Sequence, residues 1–282
     1  MKTQRTLLFF LSLLVLSALA CSGLTGLFGN PEESGTAPGT AEPVAPGEGP
    51  EGTGGEGQPT EGVRRLELPI TPTPFHVTDQ DDPRSLLDLS QPDYYDYFDN
   101  PDEWYTFDSE GFAAYRMEDG HLLGLDEEPE ERYVYWSYTY MQAGNTYIEV
   151  TTTNGDCVGK DSVGLVIRVD PDVTPSGYAY EISCDGSWRF RRFRANESAA
   201  EMVEWAPSDA INTGLGATNR LGLWAYQGGF QAFANGFPVG EAEDRNLTYT
   251  LGYIALYVRA SQTFDLTATF DDLAFWNIPF QQ

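Results

Sequence analysis

Four Asx-Gly pairs punctuate the chain between residues 119 and 236: Asp119-Gly120, Asn154-Gly155, Asp185-Gly186 and Asn235-Gly236. Asn and Asp followed by Gly accept the positive φ angles that tight hairpins need, so each pair marks a turn between antiparallel strands. The runs between them are short and rich in Val, Ile, Tyr, Phe, Trp and Thr, which is the composition of a pleated, half-buried surface. Eleven such runs lie between Gly111 and Phe275, and no long stretch keeps a helical apolar period. Ser198–Trp205 is read as a short helix or turn. So many strands over about 195 residues predict an all-β fold, an antiparallel two-sheet β-sandwich or jelly roll, spanning residues 85–282. Leu266, Ala268 and Phe270 share one face, whereas Leu273 and Phe275 have the opposite parity. A period of two cannot change phase without an extra residue, which predicts a β-bulge at Asp271-Asp272.

The N-terminal part is a different material. Lys2 and Arg5 precede an apolar run from Leu7 to Leu16, followed by Ser17, Ala18 and Ala20. This is the order of a secretory signal, expected to cover residues 1–20, and the run is too short for an ordinary transmembrane helix. Ala18-Leu19-Ala20-Cys21 resembles the lipobox of bacterial lipoproteins, although Ala18 stands where that family usually has Leu. The resemblance implies export, lipidation of Cys21 and attachment to membrane lipid, with the domain outside the cytoplasm. Residues 21–84 read as an acidic tether. Seven glutamates lie between Glu32 and Glu61 among dense Gly and Pro, and residues 22–62 contain no Lys or Arg.

Composition narrows the function. Of 282 residues 43 are acidic and 16 basic, a net charge of −27, so nucleic acid is not an expected partner. Two histidines and three cysteines exclude zinc fingers and Cys-rich iron–sulfur scaffolds. Apart from Cys21, Cys157 and Cys184 each lie beside a hairpin turn, and in an exported protein they are expected to form a disulfide. No cofactor is required. Asp271 and Asp272 are candidate oxygen ligands for a structural calcium; alternatively, they satisfy backbone N–H groups freed by the bulge.

Asn219-Arg-Leu-Gly-Leu223, Phe230-Gln-Ala-Phe-Ala-Asn-Gly236, Leu251-Gly-Tyr-Ile-Ala-Leu256 and Thr269-Phe-Asp-Asp-Leu273 stand in order, preceded by Tyr97-Phe-Asp-Asn-Pro-Asp-Glu-Trp104 and Val163-Gly-Leu-Val-Ile-Arg168. Over about residues 94–278 this series resembles the concanavalin A-like lectin/glucanase sandwiches, in particular the domains named for 3-keto-disaccharide hydrolases. The resemblance implies a carbohydrate ligand. It concerns motifs of fold rather than of catalysis. The alternating acids of the superfamily's glucanases (Glu-x-Asp-x-x-Glu or Glu-x-Asp-x-Glu on one strand) are absent, and Glu149 and Glu181 each stand alone in a strand. A non-catalytic glycan-binding module is therefore expected ahead of a glycan-active hydrolase or a structural envelope protein.

Strand parity nominates the binding face. Val163, Leu165, Ile167 and Val169 read as one core face, leaving Arg168 opposite. Leu221 and Leu223 do the same for Trp224 and Tyr226, as Phe230, Ala232 and Ala234 do for Phe233. Trp188 stands beside Arg189, Arg191 and Arg192 in the chain's one basic cluster, and the resemblance implies that these strands share one sheet, so that Trp188, Arg168, Trp224, Tyr226 and Phe233 line one groove.

Overall fold

A computed structural model of the chain describes residues 81–129 and 134–280. The expected signal, Cys21 and nearly all of the expected tether lie outside the described residues. Fifteen strands follow one another among the described residues: β1 (Tyr94–Asp96), β2 (Phe107–Ser109), β3 (Ala113–Glu118), β4 (His121–Asp126), β5 (Ser137–Ala143), β6 (Thr146–Asn154), β7 (Ser162–Val169), β8 (Gly177–Ser183), β9 (Ser187–Phe193), β10 (Ala200–Pro207), β11 (Thr218–Tyr226), β12 (Gly229–Ala234), β13 (Phe237–Glu243), β14 (Gly252–Arg259) and β15 (Leu266–Asn277). They form two antiparallel sheets, as the turn spacing predicts. One has nine strands in the order β13-β12-β11-β6-β15-β4-β3-β2, with β1 also paired to β15. The other has six, in the order β10-β9-β8-β7-β14-β5.

The core is the space between the sheets. The six-stranded sheet contributes Val163, Leu165 and Ile167, Tyr178, Tyr180 and Ile182, and Ile254, Leu256 and Val258. The nine-stranded sheet answers with Ile148, Val150, Leu221, Leu223 and the apolar positions of β15. Each such aliphatic side chain contributes roughly 1.5–3 kcal/mol by leaving water. On β15, Leu266, Ala268 and Phe270 and then Leu273 and Phe275 all reach this core, because the register with β6 shifts between Asp271 and Ala274. Asp272 takes φ +52° there. The bulge expected from the phase change is present at the Asp pair.

Cys157 and Cys184 form the expected disulfide, with Cα atoms 5.9 Å apart. The segment read as helix or turn is instead edge strand β10. Its pairing with β9 shifts register twice, between Glu201 and Val203 and between Val203 and Ala206. Those irregularities remove the period-two signal by which a strand is recognised. Packing also starts before residue 85. Pro83–Leu86 forms a 3-10 turn, capped by the Asp82 carboxylate accepting from the Arg84 N–H, and Arg84 is buried.

Candidate functional site

The five residues expected to line one groove lie in different places. Trp188 is on the core side of β9, edge-on to Tyr180 with ring centroids 6.3 Å apart. Its indole fills the notch left by Gly240, where a β-carbon would lie 2.1 Å from Trp188 Cζ2. Arg168 is 1% exposed and takes φ +59° beside the register shift between β7 and β14. That bulge reverses the parity. Val169 joins the outer face, while the Arg168 guanidinium turns toward Phe230 and Tyr178, 5.4 and 5.8 Å from their ring centroids. There it donates to three main-chain carbonyls, those of Gly144, Gln227 and Tyr249.

Parity is correct for Trp224 and Phe233, which do leave the core side, but their face is covered. With Tyr147, Ala274, Trp276 and Ile278 they form a second apolar cluster packed by Leu87 and Leu89. Trp224 is 7% exposed, and the Arg84 guanidinium sits 3.9 Å from the Phe233 ring centroid. Tyr226 lies at the rim of this cluster, 6.2 Å from Phe280. Trp224 and Tyr226 border only a shallow depression of about 630 Å³, with Glu241 and Glu243.

Of the two roles expected for the Asp pair, the backbone one is visible. The Asp271 carboxylate accepts from the Asp272 N–H at 2.7 Å, and its other oxygen lies 3.4 Å from His121 Nδ1. The Tyr95 hydroxyl donates to Asp272. Among the described residues, no three His, Cys, Asp or Glu side chains gather as a metal site.

Among the described residues, a broad concave feature lies on the outer face of the six-stranded sheet. Sequence alternation along β8, β9 and β14 puts Ala179 and Glu181, then Arg189, Arg191 and Phe193, then Tyr253, Ala255 and Tyr257 on that face. A cleft of about 1220 Å³ opens over it, walled by Tyr105–Ser109, Val134–Trp136, the β7–β8 loop around Pro171 and Pro175, and Asn196–Ala199. Its aromatic side chains are arranged in series. Tyr105, 43% exposed, stacks on Tyr138 at 5.0 Å with planes 15° apart, and Tyr138 faces Tyr253 at 6.1 Å. Trp136 stands edge-on to Phe193 at 5.5 Å.

Arg191 and Ala199 also line a second pocket of about 460 Å³, bounded by Lys160, Arg189, Glu201, Trp205, Arg259 and Gln262. Beneath it lies Glu181, 0% exposed. Arg189 grips Glu181 with two nitrogens, at 3.0 and 2.8 Å; Arg191 Nε donates to the same carboxylate, and Ser162 adds a hydroxyl at 3.2 Å. Burial pushes this carboxyl up, but Arg191 and Arg189 outweigh it and hold it down at about 2. Arg189 also reaches Glu201 at 3.5 Å, where burial wins over the arginines and raises the carboxyl. Trp205 lies under both cations, 4.4 Å from Arg189 and 4.9 Å from Lys160. Gly164 completes the lattice: a β-carbon there would sit 2.2 Å from Tyr257 Cε1, so glycine lets that ring lie across the sheet to meet Arg191 at 3.3 Å.

The basic cluster was visible in the sequence, but its tryptophan is on the wrong side. Read with period two, Ser187–Phe193 places Trp188 and Phe190 inward and Arg189, Arg191 and Phe193 outward. Tyr105, Trp136 and Tyr138 carry no comparable signal, because they come from separate segments that only the fold assembles.

No protein-family model matches the chain, and no curated protein matches it. Among solved structures, similarity extends to a carbohydrate binding module, CBM66, from Bacillus subtilis (18% identity, 62% of this chain and 96% of that one, TM-score 0.48). It extends also to a β-glucanase from Bacillus licheniformis (14%, 66% and 98%, 0.47) and to a Bacteroides ovatus GH16 protein in complex with a G4G4G3G product (9%, 64% and 99%, 0.46). At these identities the likeness is one of fold.

Proposed function

We propose that the chain is a glycan-binding module whose ligand lies along the outer face of the six-stranded sheet. The observation that carries this is the continuity of the Tyr105–Tyr138 aromatic cleft with the Arg-lined pocket through Arg191 and Ala199. Flat apolar ring faces suit the C–H surfaces of sugar rings, and a few oriented polar groups fix the hydroxyls. Binding without turnover fits the carboxylates. Glycosidases need two carboxyl groups that both reach the scissile bond. Glu181 is wholly buried and committed to two guanidinium groups, so it neither touches a substrate nor gives up a proton near neutrality.

A glycan array probed with the purified full chain tests the proposal. The Tyr105→Ala/Tyr138→Ala double variant should lose the captured glycans at least about tenfold, equivalent to roughly 1.4 kcal/mol, with thermal stability little changed. An array that stays blank for folded wild-type protein overturns it. A second reading, a glycan-active hydrolase, rests on Glu201 alone, a carboxylate that lines the Arg-rich pocket and that burial raises. That second reading requires captured glycans to be cleaved and Glu201→Gln to stop cleavage without releasing them.

The same proposal places the domain outside the cytoplasm, held to membrane lipid through Cys21. Its support is the basic start, the apolar run and the small residues before that cysteine. In cell fractionation, Cys21→Ser should move the protein from the membrane to the soluble exported fraction; unchanged membrane association refutes the anchor.

A further inference from the structure

We infer that the pocket around Arg259 takes an anionic group, a carboxylate or a sulfate, so that the preferred ligands are acidic glycans. The inference rests on the glycan-binding reading and specifies its ligand class. Four of the chain's 16 cationic side chains, Lys160, Arg189, Arg191 and Arg259, line this single pocket, although the whole chain carries −27. Three of them are neutralised from within the protein. Lys160 pairs with Asp185 at 2.9 Å, and Arg189 and Arg191 share Glu181, Arg189 also meeting Glu201.

Arg259 is different. It is 5% exposed, its Nε is shut off from solvent without a hydrogen-bond partner, and no carboxylate of the described residues lies within ion-pair distance of it. Glu181 and Asp126 act on it only through space. A buried guanidinium with an unmet Nε donor and no counter-charge in contact is destabilising in the free protein. A planar, two-oxygen anion entering the pocket would pair with the terminal nitrogens of Arg259, which no hydrogen bond or ion pair of the described residues occupies, in the geometry that guanidinium matches best. The neighbouring carboxylates do not cancel this, because Glu181 is already saturated by Arg189, Arg191 and Ser162, and Glu201 is turned to Arg189. A volume of about 460 Å³ leaves room for the sugar ring that carries the charge.

The test is a glycan array holding uronic-acid-containing and sulfated glycans beside neutral ones, probed with the full chain and with Arg259→Met and Arg259→Lys. Acidic glycans should dominate the wild-type signal, and the carboxylate and sulfate arms show which anion is preferred. Their binding should weaken severalfold between about 50 and 500 mM NaCl, as the charge attraction is screened. Arg259→Met should lose acidic glycans at least tenfold, and Arg259→Lys should recover part of the loss. The melting temperature of Arg259→Met should hold or rise, because an unpaired buried charge has been removed; a purely structural arginine would lower it. Neutral glycans bound as well as acidic ones, or acidic binding untouched in Arg259→Met, overturn the inference and leave glycan binding standing. A blank array removes both.

Discussion

The two outward faces of the sandwich are finished in opposite ways. The nine-stranded sheet turns Tyr147, Trp224, Phe233 and Trp276 outward and then hides them under the segment carrying Arg84, Leu87 and Leu89. The six-stranded sheet turns out Glu181, Arg189, Arg191 and Tyr257, tied to one another, and leaves a cleft above them. The contrast teaches that aromatic content does not identify a binding face. The face richer in buried rings is a second core. The six-stranded face carries an apolar cluster too, around Trp136, Phe193 and Tyr257, but sets beside it polar groups already held in place, which lowers the ordering cost of the proposed binding.

Glu181→Ala should have the largest effect. It strands two buried guanidinium groups, and removing one partner of such a pair costs about 3–5 kcal/mol. Denaturant unfolding should show this loss, together with loss of glycan binding, since Arg191 lines both pockets and Arg189 the second. Phe233→Ala comes next, at about 3 kcal/mol, the low end for a buried Phe, because Arg84 can settle into the space. Its glycan binding should match wild type; a parallel loss of binding would mean that the two faces do not act separately. Acidification should have a smaller, graded effect. A carboxyl held below its unfolded value of about 4.3 contributes stability that is complete above that value and fades as pH falls toward about 2. Denaturation midpoints at pH 7, 4 and 3 should decline accordingly in wild type, and the part owed to Glu181 should be missing in Glu181→Ala.

The sequence carries the architecture where local chemistry enforces it. Three Asx-Gly pairs close the hairpins β3–β4, β8–β9 and β12–β13, and the phase change at Asp271-Asp272 is found in place, whereas Asn154-Gly155 joins β6 to β7 of the other sheet and neither residue takes positive φ. Parity also assigns Trp224 and Phe233 to the side away from the inter-sheet core. Two things are not legible. Arg168 adopts positive φ with no Gly, Asn or Asp to announce it, so its reversal of facing is invisible until the strands are paired. Covering is a long-range event: nothing near Trp224 says that Leu87 and Leu89, well over a hundred residues earlier, will close over it. The cleft fails to show for the same reason, since Tyr105 ahead of β2, Tyr138 of β5 and Phe193 of β9 come to border one cleft only in the folded chain.

The Arg168 clamp has a consequence for how such a molecule can diversify. Its guanidinium is shared by the carbonyls of Gly144, Gln227 and Tyr249, which belong to three separate connections between strands. Lengthening or shortening any of the three would withdraw an acceptor from a buried charge, so insertions there should be purged. The segments Pro171–Pro175 and Asn196–Ala199 border the cleft and owe Arg168 nothing. Changes of length and sequence can accumulate in them with the frame intact, which makes them the natural route, for drift or for a protein engineer, from one ligand preference to another.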